Sequence, residues 1–404
     1  MSTTLLYHGW GIRGYQYVRT IYARRAVCFR VEQNPESFCC AECGAKTVAK
    51  SGRVVRRFRT VPIGRVRVWI VLAVQRLYCL ECGVTRQAVI TFADPKRTYT
   101  HAFARHVLQL SRGMTLAAVA GELGVGWDLV KEIQKADLLR RFGRPRLKHL
   151  RHLAIDEICV GRGHRYLTIV LDLDARVIVF VGEGKGADSL RFFWRRLRAS
   201  GARILAVATD MSPAYITAVA ENLAKAIHVF DHFHVVKLFN DKLSLLRQAV
   251  QREAETNLQK QVLKGTRWLL LKNPENLDAT RNERQRLDEA LALNKPLATA
   301  YYLKEDLRQL WDQGSKRQAE RFLDGWVARA QTSGIRMLQQ FAVTLAAHRS
   351  GILAYYDCRI SSAPLEGTNT KIRVLQRQAY GYRDHEFFKL KLYALHETTY
   401  ALTG

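Results

Sequence analysis

Three acidic residues occupy positions in this chain where carboxylates could act together. Asp156 lies within the apolar run LAIDE, Asp210 closes the apolar run ILAVATD, and Glu366 opens the stretch LEGTNTKIRVLQRQAYGYR, which is basic and holds no second acid. An isolated acid among cations indicates either an ordinary ion pair or a metal ligand beside an anionic substrate. Carboxylates that converge repel one another unless divalent cations neutralise them, and Mg²⁺ suits that role. Because two such ions about 4 Å apart support in-line phosphoryl transfer, the acids predict a two-Mg²⁺ site, with Mn²⁺ as an alternative ion.

Other acids near these runs have simpler explanations. Glu157 follows Asp156 in a predicted strand and therefore points to the opposite face. Asp172 and Asp174 lie at a predicted hairpin turn, where Asp is common for local reasons. We interpret these three acids as structural.

The segment FDHFH supplies two auxiliary candidates. Asp231 and His234 end a predicted strand on the side where the acids are expected. They could support the acids from behind, or His234 could lie near the scissile phosphate, and a structural role is an equal alternative. His164, in GRGHRY, is interpreted as a turn residue that pairs with backbone.

Four cysteines form two Cys-x-x-Cys-Gly pairs. Cys40 and Cys43 lie in CAECG, and Cys79 and Cys82 lie in CLECG. Four thiolates in two such pairs are a common ligand set for a structural zinc ion. The insert RVVRRFRTVPIGRVRVWIVLAVQRLY contains two alternating runs around a Pro-Ile-Gly turn, so a hairpin would bring the pairs together. Cys39 directly precedes Cys40, which leaves open which of the two binds zinc.

The charge balance predicts a polyanionic partner. The 404-residue chain has 64 Lys and Arg against 36 Asp and Glu, a formal net charge of +28. So large an excess repels itself without counter-charge, and nucleic acid is the expected partner. The N-terminal sequence shows no secretory signal and no apolar run reaches the ~18 residues of a membrane helix, so we expect a cytoplasmic protein with no membrane contact.

The segment TLAAVAGELGVGWDLVKEIQKADLLRR has helical apolar spacing on both sides of Gly124. Two short helices that meet at a Gly turn are typical of a helix-turn-helix, whose second helix enters the major groove of DNA. Asp128, Lys131, Gln134 and Lys135 would be exposed on that helix. We expect Lys131 and Gln134 to contact DNA, and a plain helical hairpin is the alternative.

Two further groups of basic residues are expected to bind phosphates. One lies in the linker that follows the helix-turn-helix, and the other lies in the helix that follows Glu366. The linker residues are Arg140, Arg141 and Arg144, and the helix residues are Lys371, Arg373 and Arg377.

Residues from Leu153 onward predict an RNase H-like α/β fold. The runs LAIDEICVG, RYLTIVLDLD and RVIVFVGEG indicate an antiparallel meander, followed by a helix, the strand ILAVATD, a second helix and the strand HVFDHF. The first and fourth strands of this fold are neighbours, so Asp156 and Asp210 can face each other while a late helix brings Glu366 across them. Between about 240 and 350, heptad-like spacing predicts about five inserted helices.

We therefore predict a multidomain α/β protein with a zinc-binding β-rich domain, a helix-turn-helix, and an RNase H-like core with an all-helical insertion. The predicted bounds are 1–98 for the zinc-binding domain, 99–148 for the helix-turn-helix and basic linker, 149–240 and 356–404 for the two parts of the core, and 241–355 for the insertion.

These motifs, in this order, resemble the DDE transposases of bacterial insertion sequences, specifically the ISL3 family. The resemblance runs from about Cys40 to about Leu402 and rests on IDE, ATDMSPAY, FDHFHVVK and LEGTNTKIRVLQRQAYGYR. It implies that Asp156, Asp210 and Glu366 are the catalytic triad. It also implies that the protein binds the terminal inverted repeats of its element, cleaves double-stranded DNA with Mg²⁺ and transfers strands to target DNA. Because two element ends must be paired, a homodimer on DNA is expected, in the bacterial cytoplasm.

Two other functions fit part of the sequence. A transcriptional regulator would combine the zinc segment and the helix-turn-helix with an inactive α/β domain. A resolvase-type nuclease would use the same fold to cut junctions without strand transfer, and the fold alone does not distinguish the two enzymes. The paired DNA-binding modules and the C-terminal block favour the transposase.

Overall fold

The chain is organised in two compact units. The computed structural model describes residues 4–161, 165–254, 261–263, 266–292 and 294–397. His164 lies outside the described residues. One unit extends to Gly143 and includes Glu397, and the other extends from Arg144 to His396. The finer division into five segments stays a prediction. No helix among the described residues is both long enough and apolar enough to cross a membrane.

The first unit contains a five-stranded sheet in the order β1-β2-β4-β3, with β5 paired to β4. The strands are β1 (Tyr15–Ala23), β2 (Ala26–Gln33), β3 (Val48–Ile63), β4 (Val66–Cys79) and β5 (Thr85–Gln87). Strands β3 and β4 form the predicted antiparallel hairpin, which closes with Ile63 opposite Val66. Gly64 makes the turn with a left-handed φ of 57°. Every second residue of β4 from Val68 to Val74 is buried, because one face of the sheet covers a core.

Helices complete the first unit. A short helix (Thr4–Trp10) precedes β1, and three helices follow β5: His101–Leu110, Leu116–Leu123 and Trp127–Phe142. The side-chain oxygens of Thr100 and Thr115 cap the first two of these three helices at their N-termini. Gly124 ends the second with a left-handed φ of 61°, so the predicted helix–Gly–helix arrangement is confirmed. We call Trp127–Phe142 the recognition helix.

The second unit is built on another five-stranded sheet, in the order β10-β9-β6-β7-β8. Its strands are β6 (His152–Gly161), β7 (Arg165–Asp172), β8 (Val177–Glu183), β9 (Ala206–Thr209) and β10 (Ile227–Phe230). Strands β6, β7 and β8 form the antiparallel meander, β9 runs parallel to β6, and β10 runs parallel to β9. The predicted RNase H-like order, with its first and fourth strands adjacent, is confirmed.

Two helices cover one face of this sheet. They are Arg191–Ser200 and Pro213–Asn222, and they follow β8 and β9 respectively. Phe193 and Tyr215 from these helices pack in one core with Leu153 and Ile155 of β6. The odd-numbered residues of β6 therefore face the helices, and the even-numbered residues face the opposite side.

A helical segment separates β10 from the end of the fold. Its described helices are His232–Glu253, Arg267–Leu271, Glu283–Ala292, Lys295–Arg308, Lys316–Thr332, Arg336–Ala347 and Arg349–Leu353, which exceeds the predicted five. Trp326, Phe239 and Phe341 are fully buried at its centre, with ring centroids 4.9 to 6.0 Å apart. Among the described residues after Phe230 there is no strand, as predicted.

The helical segment returns to the sheet next to the point where it leaves. A Cβ atom on Gly351 would lie 2.4 Å from the ring of Phe230, so only glycine lets the helix Arg349–Leu353 approach β10 this closely. Two further helices follow in the part of the chain that the structure describes, Ala363–Gln378 and His385–Tyr393. We call Ala363–Gln378 the Glu366 helix.

Candidate active site and nucleic-acid interface

Asp156 and Asp210 lie side by side at neighbouring strands. In the parallel pairing of β6 with β9, Ala154 is opposite Ala208. Two residues further along each chain, the same register brings Asp156 level with Asp210, on the face opposite to Ile155. The sheet order predicted from the sequence therefore places these two acids together.

The two carboxylates are held by hydrogen bonds. Asp156 accepts one from the backbone N–H of the next residue at 2.7 Å and one from the Asn369 side-chain amide at 2.8 Å. Asp210 accepts one from the backbone N–H of Ser212 at 3.0 Å. Since Asn369 follows Glu366 by one turn, the hydrogen bond from Asn369 joins the Glu366 helix to Asp156.

The electrostatic surroundings of the pair favour a bound cation. Burial raises the pKa of Asp156, and the Asp210 carboxylate acts in the same direction, while His234 opposes both effects. Burial also raises the pKa of Asp210, against the Ser212 N–H and His234, which lower it. The ionised form of both carboxyl groups is thus disfavoured, and a nearby divalent cation would favour it.

Glu366 lies in the first turn of its helix with an exposed side chain. Among the described residues, the carboxylate oxygens of Glu366, Asp156 and Asp210 do not all come within 4.8 Å of one another. The contact between the Glu366 helix and the pair is made by Asn369, which lies one turn after Glu366. Arg373 and Arg377 follow it by seven and eleven residues and lie along the same stripe of the helix.

Asp231 and His234 lie beside this arrangement. The Asp231 side chain is 1% exposed, and its carboxylate accepts a hydrogen bond from the backbone N–H of Ser362 at 3.0 Å. Ser362 is the residue that precedes the Glu366 helix. His234 is partly buried and close enough to lower the pKa of both Asp156 and Asp210.

The neighbouring acids have structural partners, as the sequence predicts. Glu157 points to the helix-covered face, where its carboxylate accepts hydrogen bonds from the Tyr215 hydroxyl at 2.7 Å and the Gly186 N–H at 2.8 Å. Asp172 accepts the N–H of Asp174 at 3.0 Å within the hairpin turn.

The four paired cysteines form one cluster in the first unit. The Sγ atoms of Cys40 and Cys82 are 3.7 Å apart, those of Cys43 and Cys79 are 3.6 Å apart, and all four lie within 4.8 Å of one another. A tetrahedron with Zn–S bonds of about 2.3 Å has edges of about 3.8 Å, so the four sulfurs fit a structural zinc ion. Cys39 lies outside this group, which assigns the ligand position to Cys40.

Two matching turns position the thiolates. Gly44 and Gly83 follow the two cysteine pairs with left-handed φ values of 79° and 67°. Backbone N–H groups of Cys43 and Glu42 point at the Cys40 sulfur and lower the pKa of Cys40 to about 6. The thiolate form that zinc requires is thereby favoured at Cys40. At Cys43 and Cys82 a backbone N–H lowers the pKa, but the neighbouring Cys79 thiol and burial outweigh it and raise the pKa.

The recognition helix corrects one prediction. Gln134 is 4% exposed and lies on the buried face with Val130 and Ile133, so the expectation that it is exposed on this helix is wrong. The apolar spacing of the sequence does not indicate this burial, because the side chain that faces the core at position 134 is polar. Lys131 lies near the start of the helix with a quarter of its side chain exposed, above the ring of Trp127.

Three family models match the chain in the order of these parts. The zinc-finger model of transposases IS204/IS1001/IS1096/IS1165 matches residues 36–82, the helix-turn-helix model of transposase family ISL3 matches residues 89–136, and the ISL3 model described as transposase matches residues 153–392. The last of these alone spans more than half of the chain. The chain belongs to the ISL3 family of transposases. It is therefore a DNA-transposing enzyme.

Relatives of this ISL3 transposase match it along most of its length. The transposase for insertion sequence element IS1001 from Bordetella parapertussis is 34% identical over 380 residues, which cover 92% of this chain and 91% of the relative. The transposase for insertion sequence element IS1557 from Mycobacterium tuberculosis is 30% identical over 371 residues, which cover 85% and 82%. The Drosophila P element transposase strand transfer complex aligns over 66% of this chain and 81% of that chain, at 13% identity and a TM-score of 0.35.

The basic residues predicted to bind phosphates differ in their surroundings. Arg140 donates to Asp137 at 2.6 Å, and Arg141 is paired with both Asp137 and Glu397. Exposed pairs of this kind are weak, so phosphate can replace the carboxylate partners. The other predicted phosphate ligands, Arg144, Lys371, Arg373 and Arg377, are exposed.

Sequence reasoning missed two polar residues of this transposase. Asn369 holds Asp156, and its spacing of three residues from Glu366 is the signal that could have identified it. Arg59 is a buried arginine in β3 whose surroundings depend on packing between the hairpin and the helices, which no local pattern of the sequence shows.

Proposed function

We propose that this transposase binds the terminal inverted repeats of its element and catalyses Mg²⁺-dependent strand cleavage and strand transfer at Asp156, Asp210 and Glu366. The observation that carries the proposal is the strand register that sets Asp156 beside Asp210, together with the hydrogen bond from Asn369 of the Glu366 helix to Asp156. The family membership supports the reaction class.

The residues fit divalent cations. All three candidates offer carboxylate oxygens, the donors that Mg²⁺ prefers. Burial raises the pKa of Asp156 and of Asp210 by more than His234 and the backbone N–H groups lower it, which favours a bound cation. Asp156, Asp210 and Glu366 would hold the ions. When bound, two such ions activate a water or a DNA 3′-hydroxyl and stabilise the leaving oxygen of an in-line displacement.

The remaining groups orient these acids and the DNA. Asn369 and the Ser212 N–H each fix one carboxylate, so that their oxygens converge from a rigid sheet. Asp231 anchors the start of the Glu366 helix through Ser362. His234 lies on the same side and is suited to donate a hydrogen bond to a phosphate oxygen at the scissile position.

Recognition of the element ends is assigned to the first unit. The start of the recognition helix, with exposed Trp127 and Asp128 and partly exposed Lys131, would contact base edges, since N-terminal residues of such helices commonly do so. Arg373 and Arg377 would hold the backbone of the strand to be cut. Because both ends of an element must be processed together, the active form is a homodimer on DNA.

The test uses the purified protein with the inverted-repeat ends that flank its own gene. We expect 3′-hydroxyl cuts at the ends with Mg²⁺ or Mn²⁺, none with EDTA, and none with Glu366→Gln, which should still bind the ends. Joining of the cut ends to a target plasmid establishes strand transfer. Cleavage without joining would make the protein a nuclease, and specific binding without cleavage in any divalent metal would overturn the proposed chemistry.

A further inference from the structure

Arg59 of β3 is a buried cation that the protein satisfies only in part. It is 3% exposed, and its guanidinium lies over the rings of Trp69 and Phe103, at 5.5 and 5.8 Å from their centroids. One nitrogen, Nη2, donates to the backbone carbonyl of Leu123 at 2.9 Å. The other two, Nε and Nη1, are buried and have no hydrogen-bond partner among the described residues.

No acid compensates this charge. Within the described part of the chain, no carboxylate forms an ion pair with Arg59, and burial together with the nearby Arg67 guanidinium lowers the pKa of Arg59. Leaving a buried charged group without partners costs folding free energy. An anion from outside the protein would offset that cost.

The scaffold keeps Arg59 in this position. Its backbone N–H donates to Thr98 and its carbonyl accepts from Thr100, which caps the helix His101–Leu110. The Thr100 hydroxyl also donates to the Thr60 hydroxyl at 3.0 Å. The hairpin is therefore joined at Arg59 to the start of the helix His101–Leu110, and the Arg59 side chain joins it to Leu123, the last residue of the first helix of the helix-turn-helix.

Arg59 lines an open cavity of about 430 Å³ in the first unit. Its lining includes the tip of the hairpin, where Arg65 and Arg67 are exposed, together with His106 and residues 121–124. The lining contains one acid, Glu122, against three arginines. Arg67 also reaches the turn of the helix-turn-helix, since its Cδ atom lies 3.8 Å from where a Cβ on Gly124 would be.

We propose that this cavity binds a phosphate of the DNA backbone, so that the zinc-domain hairpin and the helix-turn-helix hold the DNA as one composite site. Guanidinium groups are the usual ligands for phosphodiesters, and a buried one strengthens the interaction because water screens it less. The first helix of a helix-turn-helix crosses the DNA backbone while the recognition helix occupies the major groove. In this protein the recognition helix begins three residues after Gly124, which lines the cavity. The inference rests on the proposed function, because it assumes that the first unit binds the element ends.

The experiment measures the affinity of the full-length protein for a fluorescent terminal-repeat duplex as a function of salt. Arg67→Gln and Arg65→Gln change exposed residues of the cavity and should leave folding intact. Arg59→Lys keeps the positive charge but loses the planar set of donors. Arg19→Gln is the control for lost charge, since Arg19 lies on the edge strand β1 outside the cavity. We expect each cavity glutamine variant to lower the slope of log K against log salt by about 0.9, the change for one lost phosphate contact, for specific and random duplexes alike. The control should lower it less.

A chemical cycle locates the contact. Duplexes that carry one neutral methylphosphonate at successive positions should include one position that weakens wild-type binding but does not weaken Arg67→Gln further. If no position behaves in this way, or if the cavity variants and Arg19→Gln change the slope equally, the inference is overturned. Stabilisation of the wild-type protein by inorganic phosphate alone, with unchanged DNA slopes in the variants, would instead identify a site for a free anion and would also overturn it. If wild-type protein does not bind the terminal repeat, the proposed function fails first, and the two failures are distinguishable.

Discussion

The carboxylate of Asp231 accepts a hydrogen bond from the backbone N–H of Ser362, 131 positions later in the chain. Asp231 directly follows β10, the neighbour of β9, which Asp210 follows, and Ser362 directly precedes the Glu366 helix. Both residues are almost fully buried, at 1% and 3% exposure. This one contact therefore ties the helix with the third acid to the edge of the sheet that holds the other two.

Loss of the Asp231 carboxylate should impair catalysis by releasing the Glu366 helix. In Asp231→Ala the buried Ser362 N–H loses its acceptor, which costs about 1.5–3 kcal/mol for a bond to a charged group. Asp231→Asn keeps an acceptor oxygen and should stay near wild type. We expect Asp231→Ala to need more Mg²⁺ for half-maximal end cleavage and to cut more slowly, while DNA affinity is unchanged. If the Ala and Asn variants require the same Mg²⁺ concentration as wild type, Asp231 does not position Glu366.

Neutralising Asp210 should stabilise the protein in EDTA while it abolishes cleavage. The pKa of Asp210 is raised in the folded state, so its contribution to stability is present below the unfolded pKa and is lost as pH rises through the folded pKa. Asp210→Asn has no charge at this position and does not lose stability in this way as the pH rises. In EDTA at pH 8 the Tm of the variant should therefore exceed the wild-type Tm, and the difference between the two Tm values should decrease towards pH 4. Roughly 2–4 °C is expected for each kcal/mol.

The same pair of proteins reports on metal without any activity assay. Mg²⁺ or Mn²⁺ should raise the Tm of wild type and have less effect on Asp210→Asn, because a cation that binds the folded state stabilises it. Equal shifts in both proteins would place the cation elsewhere.

The burial of Gln134 and the exposure of Lys131 lead to opposite expectations. Gln134→Leu replaces a buried side chain whose carbonyl oxygen has no hydrogen-bond partner among the described residues, so stability should be unchanged or higher and terminal-repeat binding retained. Lys131→Ala should weaken binding, with a salt slope smaller by about 0.9 if the lysine contacts a phosphate. Fluorescence anisotropy over a salt series separates the two variants. Normal binding by Lys131→Ala would mean that the recognition helix docks in another way.

The cysteines give a matched pair for the zinc site. Cys79→Ser removes one ligand and should abolish stoichiometric zinc and lower the Tm, because structural zinc contributes directly to folding. Cys39→Ser should retain zinc and Tm, since Cys39 lies outside the sulfur cluster. Metal analysis of the purified variants measures both, and loss of zinc from the Cys39 variant would contradict the assignment to Cys40.

The strand pattern predicted more of this protein than the helical pattern did. Alternating apolar residues indicate both the zinc-domain hairpin and the meander, and strand order then follows from the fold type, which is why Asp156 and Asp210 were expected together. The position of the Glu366 helix depends on the buried hydrogen bond from Ser362 to Asp231, two residues that the helical segment separates in the chain. No local sequence pattern predicts so distant a contact.

Burial could not be predicted from the sequence at two positions where a polar residue lies in a core. Gln134 occupies a buried turn of the recognition helix, and Arg59 occupies a buried position of β3 between two aromatic rings. Residue type and periodicity place Gln134 on the exposed face of its helix, and no local pattern marks Arg59 as buried. In each case the packing between elements determines the burial.

The long separation between Asp231 and Ser362 also sets an order of assembly. At about 5–20 residues per second, a ribosome needs roughly 7–26 s to proceed from one to the other. During that interval the strands that carry Asp156 and Asp210 have been made, and the helix-turn-helix before them as well, while Glu366 does not yet exist. A chain that ends early in the helical segment would thus carry the zinc segment, the helix-turn-helix and two of the three acids without Glu366, and on the proposed function it would bind DNA without cutting it.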